Sequence, residues 1–208
     1  MDYQKQIESF VCWHCHGRTD ETAMFCNHCG SVQNVRAADH FARLGLERRL
    51  DVNVTDLDDR FNKLRKPLDP NFFMIRSTTE RNFAARQLIA LVEAYETLRD
   101  PVQRGRYWLK LHQQDFVAAK NDHPVVQKMR AEFDNVADDT AQLDMLAQRT
   151  NALLQNGVMK LLTSLRQQNW EEANQALVEL DGMEDILSQT RARRQGMTKV
   201  DPDTEWSC

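Results

Sequence analysis

The sequence predicts an all-α protein with a small cysteine-rich domain near its N-terminus. Three features support this: two Cys-x-x-Cys pairs, a helical hairpin over residues 55–98, and amphipathic helical repeats from residue 123 onward. Of the 208 residues, 41% are hydrophobic and 28% charged, which is ordinary for a folded protein, and the formal charge of -4 disfavours nucleic acid as the main partner. No window has the apolar length of a membrane span, and the first residues show no signal-peptide pattern.

The central hairpin is predicted from helical periodicity. In its first helix, apolar residues recur every three or four positions and cations lie mostly on the opposite side. The apolar residues are Leu57, Phe61 and Leu64, and the cations are Arg60, Lys63, Arg65 and Lys66. The second helix carries a longer apolar stripe between Phe83 and Leu98. We expect the two stripes to pack together and to leave a positive face outside.

The ends of these two helices are predicted from capping residues. At two places a hydroxyl residue is followed three positions later by an acid, which is the pattern of a reciprocal helix cap. These pairs are Thr55 with Asp58 and Ser77 with Glu80. The connection over residues 66–73 contains two prolines, which we expect to keep it non-helical.

The cysteine pairs predict a structural metal site. Each Cys-x-x-Cys pair can turn two thiolates toward one ion, and two pairs complete the tetrahedral set that zinc prefers. Two disulfides are the alternative, but a chain without secretory features favours metal binding. We expect one structural zinc ion, held by Cys12, Cys15, Cys26 and Cys29. The neighbouring histidines are expected to be surface residues rather than ligands: His14, His16 and His28.

A zinc ribbon that binds nucleic acid is an alternative use of this domain. Such ribbons interleave basic and aromatic residues, and the cysteine-rich region offers few of either. They are Arg18, Arg36, Trp13 and Phe25. Catalysis is not expected, because no nucleophile, base and orienting group occur together. The acidic pairs at residues 58–59 and 138–139 are expected to be caps and solvated faces.

The remaining sequence is predicted to be helical. Residues 39–46 indicate a short helix that ends near Gly45, and Asp100-Pro101 places a cap and a proline at the start of another helix. From residue 123 onward, three amphipathic helices joined by short polar connections predict a three-helix bundle. The last of these helices is expected to be capped at Asn169.

Several pieces of sequence, taken together, resemble a known family. They are the basic helix with its proline-centred tripeptide, residues 94–101 (Ala-Tyr-Glu-Thr-Leu-Arg-Asp-Pro) and residues 104–112 (Arg-Gly-Arg-Tyr-Trp-Leu-Lys-Leu-His). This combination resembles the J-domain of iron–sulfur co-chaperones of the HscB type, and the cysteine knuckles ahead of it resemble the animal mitochondrial branch. The resemblance is strong over residues 12–112 and weaker to about residue 194. Where the family carries His-Pro-Asp, this chain reads Asp69-Pro70-Asn71.

The helical pattern and the resemblance together imply a division into five parts. These are a zinc-knuckle domain (1–36), a J-like domain (37–112), a linker (113–122), a C-terminal three-helix bundle (123–194) and a frayed tail (195–208). The resemblance also implies a mitochondrial location, with the cytosol as the alternative. The sequence predicts no oligomeric state.

The resemblance implies a co-chaperone adaptor with two protein partners. A DnaK-type chaperone, whose ATP hydrolysis the family stimulates, would dock on Arg60, Lys63, Arg65, Lys66, Asp69, Pro70 and Asn71. An iron–sulfur scaffold protein would bind Val125, Val126, Met129 and Phe133, although such apolar stripes are also typical of a core. The tripeptide carries its negative charge two residues earlier than in the family, so we expect little ATPase stimulation. The alternatives are a J-like scaffold binder that does not stimulate the chaperone, and an unrelated zinc-binding module.

Overall fold

The computed structural model of the chain describes residues 10–20, 22–114, 123–136 and 139–198. The chain divides into two compact units, unit 1 (Met1–Arg104) and unit 2 (Gly105–Cys208). Unit 1 contains β1 (Phe10–Val11), β2 (Arg18–Thr19), α1 (His40–Arg43), α2 (Val54–Arg65) and α3 (Thr78–Arg99). Helix α4 (Pro101–Leu111) begins in unit 1 and continues in unit 2, which also contains α5 (Pro124–Asn135), α6 (Thr140–Arg166) and α7 (Trp170–Thr198).

The predicted all-α class is confirmed. The two strands have two residues each and pair antiparallel, with Phe10 opposite Thr19 and Val11 opposite Arg18. None of the helices in the described part of the chain combines the length and the hydropathy that a membrane span needs.

The structure confirms one of the two predicted caps of the hairpin and corrects the other. The Ser77 hydroxyl accepts from the Glu80 N–H at 3.2 Å, and the Glu80 carboxylate accepts from the Ser77 N–H at 3.3 Å. The cap predicted at Thr55 is wrong. Helix α2 begins at Val54, two residues earlier than a Thr55 cap implies, and the Asn53 side chain accepts from the N–H groups of Thr55 and Asp56 at 2.9 and 3.2 Å. Asparagine is as good a cap as threonine or better, so the earlier start is favoured.

The connection between α2 and α3 also differs from its prediction. Instead of being non-helical, it forms two short 3₁₀ helices, Lys66–Leu68 and Pro70–Phe73. Proline suits the first turn of a helix, because its fixed φ is already helical and its missing N–H has no partner there. The Leu68 and Phe73 side chains are buried and anchor the two segments in unit 1.

The two helices of the hairpin pack through their apolar stripes, as the sequence predicts. Leu57 of α2 and Leu91 and Leu98 of α3 have no exposed surface, and the rings of Phe61 and Tyr95 stack with centroids 4.0 Å apart. Stacking of two aromatic rings adds to the free energy gained from burial alone. The cationic side of α2 therefore faces solvent.

The three helices predicted after residue 123 are present in unit 2. Helices α6 and α7 make the most extensive contact, and α5 packs against both. One core cluster is formed by Val126, Met129, Leu146, Met183 and Ile186. Helix α7 is capped as predicted, since the Glu172 N–H donates to the Asn169 side chain at 3.3 Å.

Two glycines let the backbone of α7 and α6 approach a neighbouring helix closely. A Cβ atom at Gly182 would lie 2.4 Å from the nearest methyl carbon of Val126, and one at Gly157 would lie 2.9 Å from a methyl carbon of Leu180. Real Cβ contacts are not this short, so a larger residue at either position would require its neighbour to move, and more so at Gly182, where all three closest atoms belong to the short Val126 side chain.

The residue boundaries of the five predicted parts remain predictions. Most of the predicted linker, residues 115–122, and the end of the predicted tail, residues 199–208, lie outside the described residues. Residues 195–198 of that tail belong to α7.

Candidate metal centre and docking turn

The sulfur atoms of Cys12, Cys15, Cys26 and Cys29 all lie within 4.8 Å of one another. Two of the sulfur–sulfur distances, Cys12 to Cys29 and Cys15 to Cys26, are 3.7 Å. A tetrahedral ion with metal–sulfur bonds of about 2.3 Å separates its ligands by about 3.8 Å. The spacing of the four thiols therefore fits a single tetrahedral metal ion.

The two cysteine pairs have nearly the same backbone. The carbonyls of Cys12 and Cys26 accept from the N–H groups of His16 and Gly30, at 3.0 and 2.9 Å, which closes a tight loop in each pair. His16 and Gly30 have φ values of 59° and 73°. In each loop the N–H two residues after the first cysteine donates to its sulfur at 3.4 Å. Such N–H···S bonds stabilise thiolates, the form that binds metal.

The pKa values of the exposed thiols spread widely because the sulfurs are so close together. The Ser31 hydroxyl and backbone N–H lower the pKa of Cys29 to about 5. The Gly17 N–H favours the Cys15 thiolate, but the neighbouring sulfur of Cys29 opposes it and the pKa of Cys15 is raised to about 12. One thiolate thus forms readily while another resists forming. A bound cation offsets this repulsion and allows all four to ionise.

A buried glutamine, which sequence analysis missed, links the cysteine cluster to the hairpin. The Gln33 side chain donates to the Cys12 sulfur at 3.3 Å and to the Ser31 carbonyl at 2.7 Å. The Gln33 carbonyl accepts from the Gln87 side chain of α3 at 3.0 Å. Gln87 is a polar residue within the apolar stripe of α3, and this irregularity is the signal that could have revealed the link.

The histidines of this region are exposed, and the close cluster of ligand atoms consists of cysteines alone. Two side chains that a nucleic-acid-binding ribbon would use have partners inside unit 1. The Trp13 ring N–H donates to the Val32 carbonyl at 2.8 Å, and its ring meets Phe83 edge-on. The Arg36 guanidinium lies over the Phe10 ring, 4.2 Å from its centroid.

The cations predicted to contact a chaperone differ in whether they already interact with other residues of the chain. Arg60 pairs with Asp56 at 3.0 Å, and its guanidinium also donates to the Gly45 carbonyl. Lys63, Arg65 and Lys66 are exposed, although the Arg65 guanidinium lies 5.7 Å from the centroid of the Phe61 ring. The free positive surface is therefore concentrated at the C-terminal end of α2, next to the turn.

The three residues of the tripeptide are exposed, and the Asp69 carboxylate makes a hydrogen bond within the turn. The Asp69 side chain accepts from the Asn71 N–H at 2.9 Å and caps the second 3₁₀ helix. Pro70 takes the first position of that helix, and the Asn71 side chain lies on the surface. The single negative charge of the tripeptide is thus hydrogen-bonded to the backbone of the same turn.

A hydrogen bond and an ion pair, both to Asp58, join the two helices of the hairpin. The Tyr95 hydroxyl donates to the Asp58 carboxylate at 2.8 Å, and the Arg99 guanidinium lies 3.6 Å from the same carboxylate. The hydrogen bond to Asp58 raises the pKa of Tyr95, because the carboxylate stabilises the protonated phenol. Asp58 therefore ties α2 to α3, and its predicted role in capping is wrong.

The four residues predicted to bind a scaffold protein lie together, but inside unit 2. Val126 and Met129 are each 1% exposed in the core cluster, and Val125 and Phe133 pack against that cluster. A partner can reach Val126 and Met129 only if the unit opens, whereas Val125 and Phe133 keep part of their surface exposed. Their binding role stays a prediction, and the packing favours the alternative that they are core residues.

The chain is similar in sequence to curated proteins named iron-sulfur cluster co-chaperone protein HscB. It is 37% identical to the Mus musculus protein over 106 residues, 48% of this chain and 44% of the relative, so the match spans less than half of that protein. It is 24% identical to the Homo sapiens protein over 193 residues, 88% of this chain and 82% of the relative. The HscB homolog of Arabidopsis thaliana is 25% identical over 168 residues, 78% of this chain and 66% of the relative. No family model matches the chain.

Solved structures show the same fold. The crystal structure of human co-chaperone protein HscB superposes with a TM-score of 0.76 at 23% identity, covering 89% of this chain and 98% of that one. Chaperone HscB from Vibrio cholerae gives a TM-score of 0.67 at 22% identity, covering 77% and 99%. In sequence the chain is thus similar to proteins named HscB co-chaperones, and it shares the fold of the two solved HscB structures.

Proposed function

We propose that the chain is a non-catalytic co-chaperone of iron–sulfur cluster assembly, which links a DnaK-type chaperone to an iron–sulfur scaffold protein. One observation carries the proposal. The exposed cations at the end of α2 lead directly into an exposed turn, in a chain whose relatives are named HscB co-chaperones. Unit 1 is the chaperone-binding part and unit 2 the scaffold-binding part. By the same family relationship, the chain works in mitochondria.

Chaperone docking begins with electrostatic attraction. Lys63, Arg65 and Lys66 present positive charge to solvent, and such a face steers encounter with an acidic surface at a rate that falls with salt. Arg60 contributes less, because its guanidinium is already held by Asp56 and the Gly45 carbonyl. The exposed residues Asp69, Pro70 and Asn71 then make the short-range contact.

The metal we assign to the cysteine cluster is zinc. Four thiolates in tetrahedral array suit zinc, and four protein ligands leave no open position for water or substrate. The ion is therefore structural. It holds two loops that contain too few apolar residues to fold alone, and the Gln33–Gln87 hydrogen bond connects these loops to α3.

A second candidate is a scaffold binder that docks the chaperone without stimulating its ATPase. The hydrogen bond from the Asn71 N–H to the Asp69 carboxylate favours it. A carboxylate engaged within its own turn is less available to a cation of the chaperone, and charge-assisted bonds depend strongly on position.

Single-turnover ATP hydrolysis by a DnaK-type chaperone tests the proposal and separates the two candidates. With the full chain, stimulation supports the first candidate, and salt-sensitive binding without stimulation supports the second. The variant Lys63→Gln/Lys66→Gln should weaken chaperone binding. The matched control Lys128→Gln/Lys160→Gln removes the same charge from unit 2 and should not. Absence of any binding to both the chaperone and a scaffold protein would contradict the proposal.

A further inference from the structure

The residues that follow Asn71 form an exposed apolar tip, made of Phe72, Met74 and Ile75. Their exposed fractions are 63%, 69% and 95%. Phe73, between them, is only 8% exposed and anchors the segment. Within the described residues, no other stretch of four gathers three large exposed apolar side chains. Exposed apolar clusters are unfavourable in water, so this one indicates an interaction site.

The apolar tip is held in place by hydrogen bonds of the surrounding backbone. The Arg76 N–H donates to the Phe73 carbonyl at 3.0 Å, and the Arg81 guanidinium donates to the Met74 carbonyl at 3.4 Å. The capping box of Ser77 and Glu80 starts α3 directly after the tip. Because these hydrogen bonds hold the backbone of the segment, binding through the tip loses little backbone conformational entropy.

The apolar tip is flanked in sequence by three cations, which form a basic collar: Lys63 and Lys66 come before it and Arg76 directly follows it. Lys63, Lys66 and Arg76 are exposed and form no ion pair with any residue that the structure describes. The carboxylates of this segment are engaged locally, Asp69 with the Asn71 N–H and Glu80 with Ser77. The surface that complements this region is therefore an apolar recess with an acidic rim.

We propose that the apolar tip is a second contact with the DnaK-type chaperone, seated in an apolar recess beside the site that receives the turn. This inference rests on the proposed function. Phe72 directly follows Asn71, so a partner that covers the tripeptide must also meet the tip. An apolar centre with a charged rim is the usual arrangement of a protein interface. The tip thus supplies affinity that the displaced carboxylate of Asp69 does not.

An anionic membrane surface also complements an apolar tip with a basic collar. It is the less favoured partner, because insertion of Phe72 and Ile75 into lipid would press the adjacent tripeptide against the membrane. The experiment therefore includes a membrane measurement.

The test measures the affinity of the full chain for a purified DnaK-type chaperone with ATP bound. The variant Met74→Ser/Ile75→Ser should bind on the order of tenfold to a hundredfold more weakly, because two buried apolar contacts are lost. The matched control is Met159→Ser/Ile89→Ser, which changes the same residue types at positions 61% and 67% exposed. Its affinity should equal that of the unmodified chain. All four positions are on the surface, so the variants should keep the helical circular dichroism of the unmodified chain.

The salt dependence of binding separates the contribution of the apolar tip from that of the basic collar. The defect of Met74→Ser/Ile75→Ser should persist at high salt, whereas that of Lys66→Gln/Arg76→Gln should be largest at low salt. Equal affinity of the tip variant and the unmodified chain would overturn the inference and leave the proposed function standing. If the unmodified chain does not bind the chaperone, both fail. Sedimentation with phosphatidylserine vesicles that is lost in the tip variant, together with unchanged chaperone affinity, would assign the tip to membranes instead.

Discussion

Asp69 has a carboxylate that serves its own turn and is also the only negative charge in the tripeptide. The hydrogen bond from the Asn71 N–H orients it over the second 3₁₀ helix. A chaperone cation that binds this carboxylate must share it with, or take it from, that N–H. In the proposed complex, stability of the turn and strength of chaperone binding would therefore oppose each other at Asp69.

The variant Asp69→His/Asn71→Asp tests this competition. We expect it to increase ATPase stimulation, because the carboxylate moves to the position that the family uses. It should also lower the stability of unit 1 by about 1 kcal/mol, because the cap is lost. Urea denaturation and single-turnover ATP hydrolysis measure the two effects.

Asp69→Asn is the matched control, since the amide oxygen can still accept from the Asn71 N–H but carries no charge. It should keep the stability of the unmodified chain and show no gain in stimulation. Equal stimulation by all three proteins would mean that the tripeptide does not determine the activity.

At the scale of the helices, the close packing of α5 on α7 depends on Gly182. Adding a methyl group there places it 2.4 Å from a carbon of Val126. The clash costs about 1–3 kcal/mol, against a gain in helix propensity of up to about 1 kcal/mol. Gly182→Ala should therefore destabilise unit 2 by up to about 2 kcal/mol in urea denaturation.

Gly196→Ala is the control on the same helix, because nothing lies within 4 Å of its added methyl group. It should leave stability unchanged or raise it by up to about 1 kcal/mol. The double variant Val126→Ala/Gly182→Ala should lose less stability than the sum of the losses in the two single variants, because the smaller side chain at position 126 makes room for the added methyl group. Additive losses would show that the two residues do not meet.

An ion pair between α5 and α7 makes the stability of unit 2 depend on pH in the acid range. The hydrogen bond from Arg130, with one from Gln189, holds the pKa of Asp185 below its ordinary value of 3.8. A depressed folded pKa means that the pair stabilises the unit above pH 3.8 and that this contribution disappears as pH falls through the folded value. Since the pair is about half exposed, we expect about 0.2–1 kcal/mol.

Urea midpoints at pH 7 and pH 3 measure this contribution. The difference between the two midpoints should be smaller in Arg130→Met than in the unmodified chain, because the variant has no cation to depress the pKa of Asp185. An unchanged difference would place the acid sensitivity of the unit elsewhere.

Local patterns explain which elements could be predicted from the sequence. Ser77 and Glu80 were found because both halves of their cap lie within four residues. Thr55 was misassigned because the better cap, Asn53, lies only two residues away and differs little in free energy. Val126 and Met129 could not be assigned to core or surface, since periodicity defines an apolar face but not what covers it.

At the scale of the whole molecule, the cysteine cluster was predictable and its connection to the hairpin was not. The Cys-x-x-Cys spacing alone implies four converging thiols. The bond between Gln33 and Gln87 joins residues 54 positions apart, and no local rule specifies such a pairing. This bond connects the cysteine-rich loops directly to α3.

Removal of the metal should therefore act on unit 1 and spare unit 2. Without an ion, the four thiols lose their common ligand, so residues 12–33 should lose hydrogen-exchange protection and the loss should extend into α3 around Gln87. Helices α5 to α7 should keep their protection, because Val126, Met183 and Ile186 form a core of their own. Exchange measured by mass spectrometry before and after chelation under reducing conditions tests this, and elemental analysis should first find one zinc per chain.

A Cys12→Ser/Cys26→Ser variant is the control. It should show the exchange pattern of the chelated protein before any chelator is added, and chelator should not change that pattern. Protection lost throughout α5 to α7 would contradict the separation, and protein purified under reducing conditions without metal would contradict the assignment of zinc.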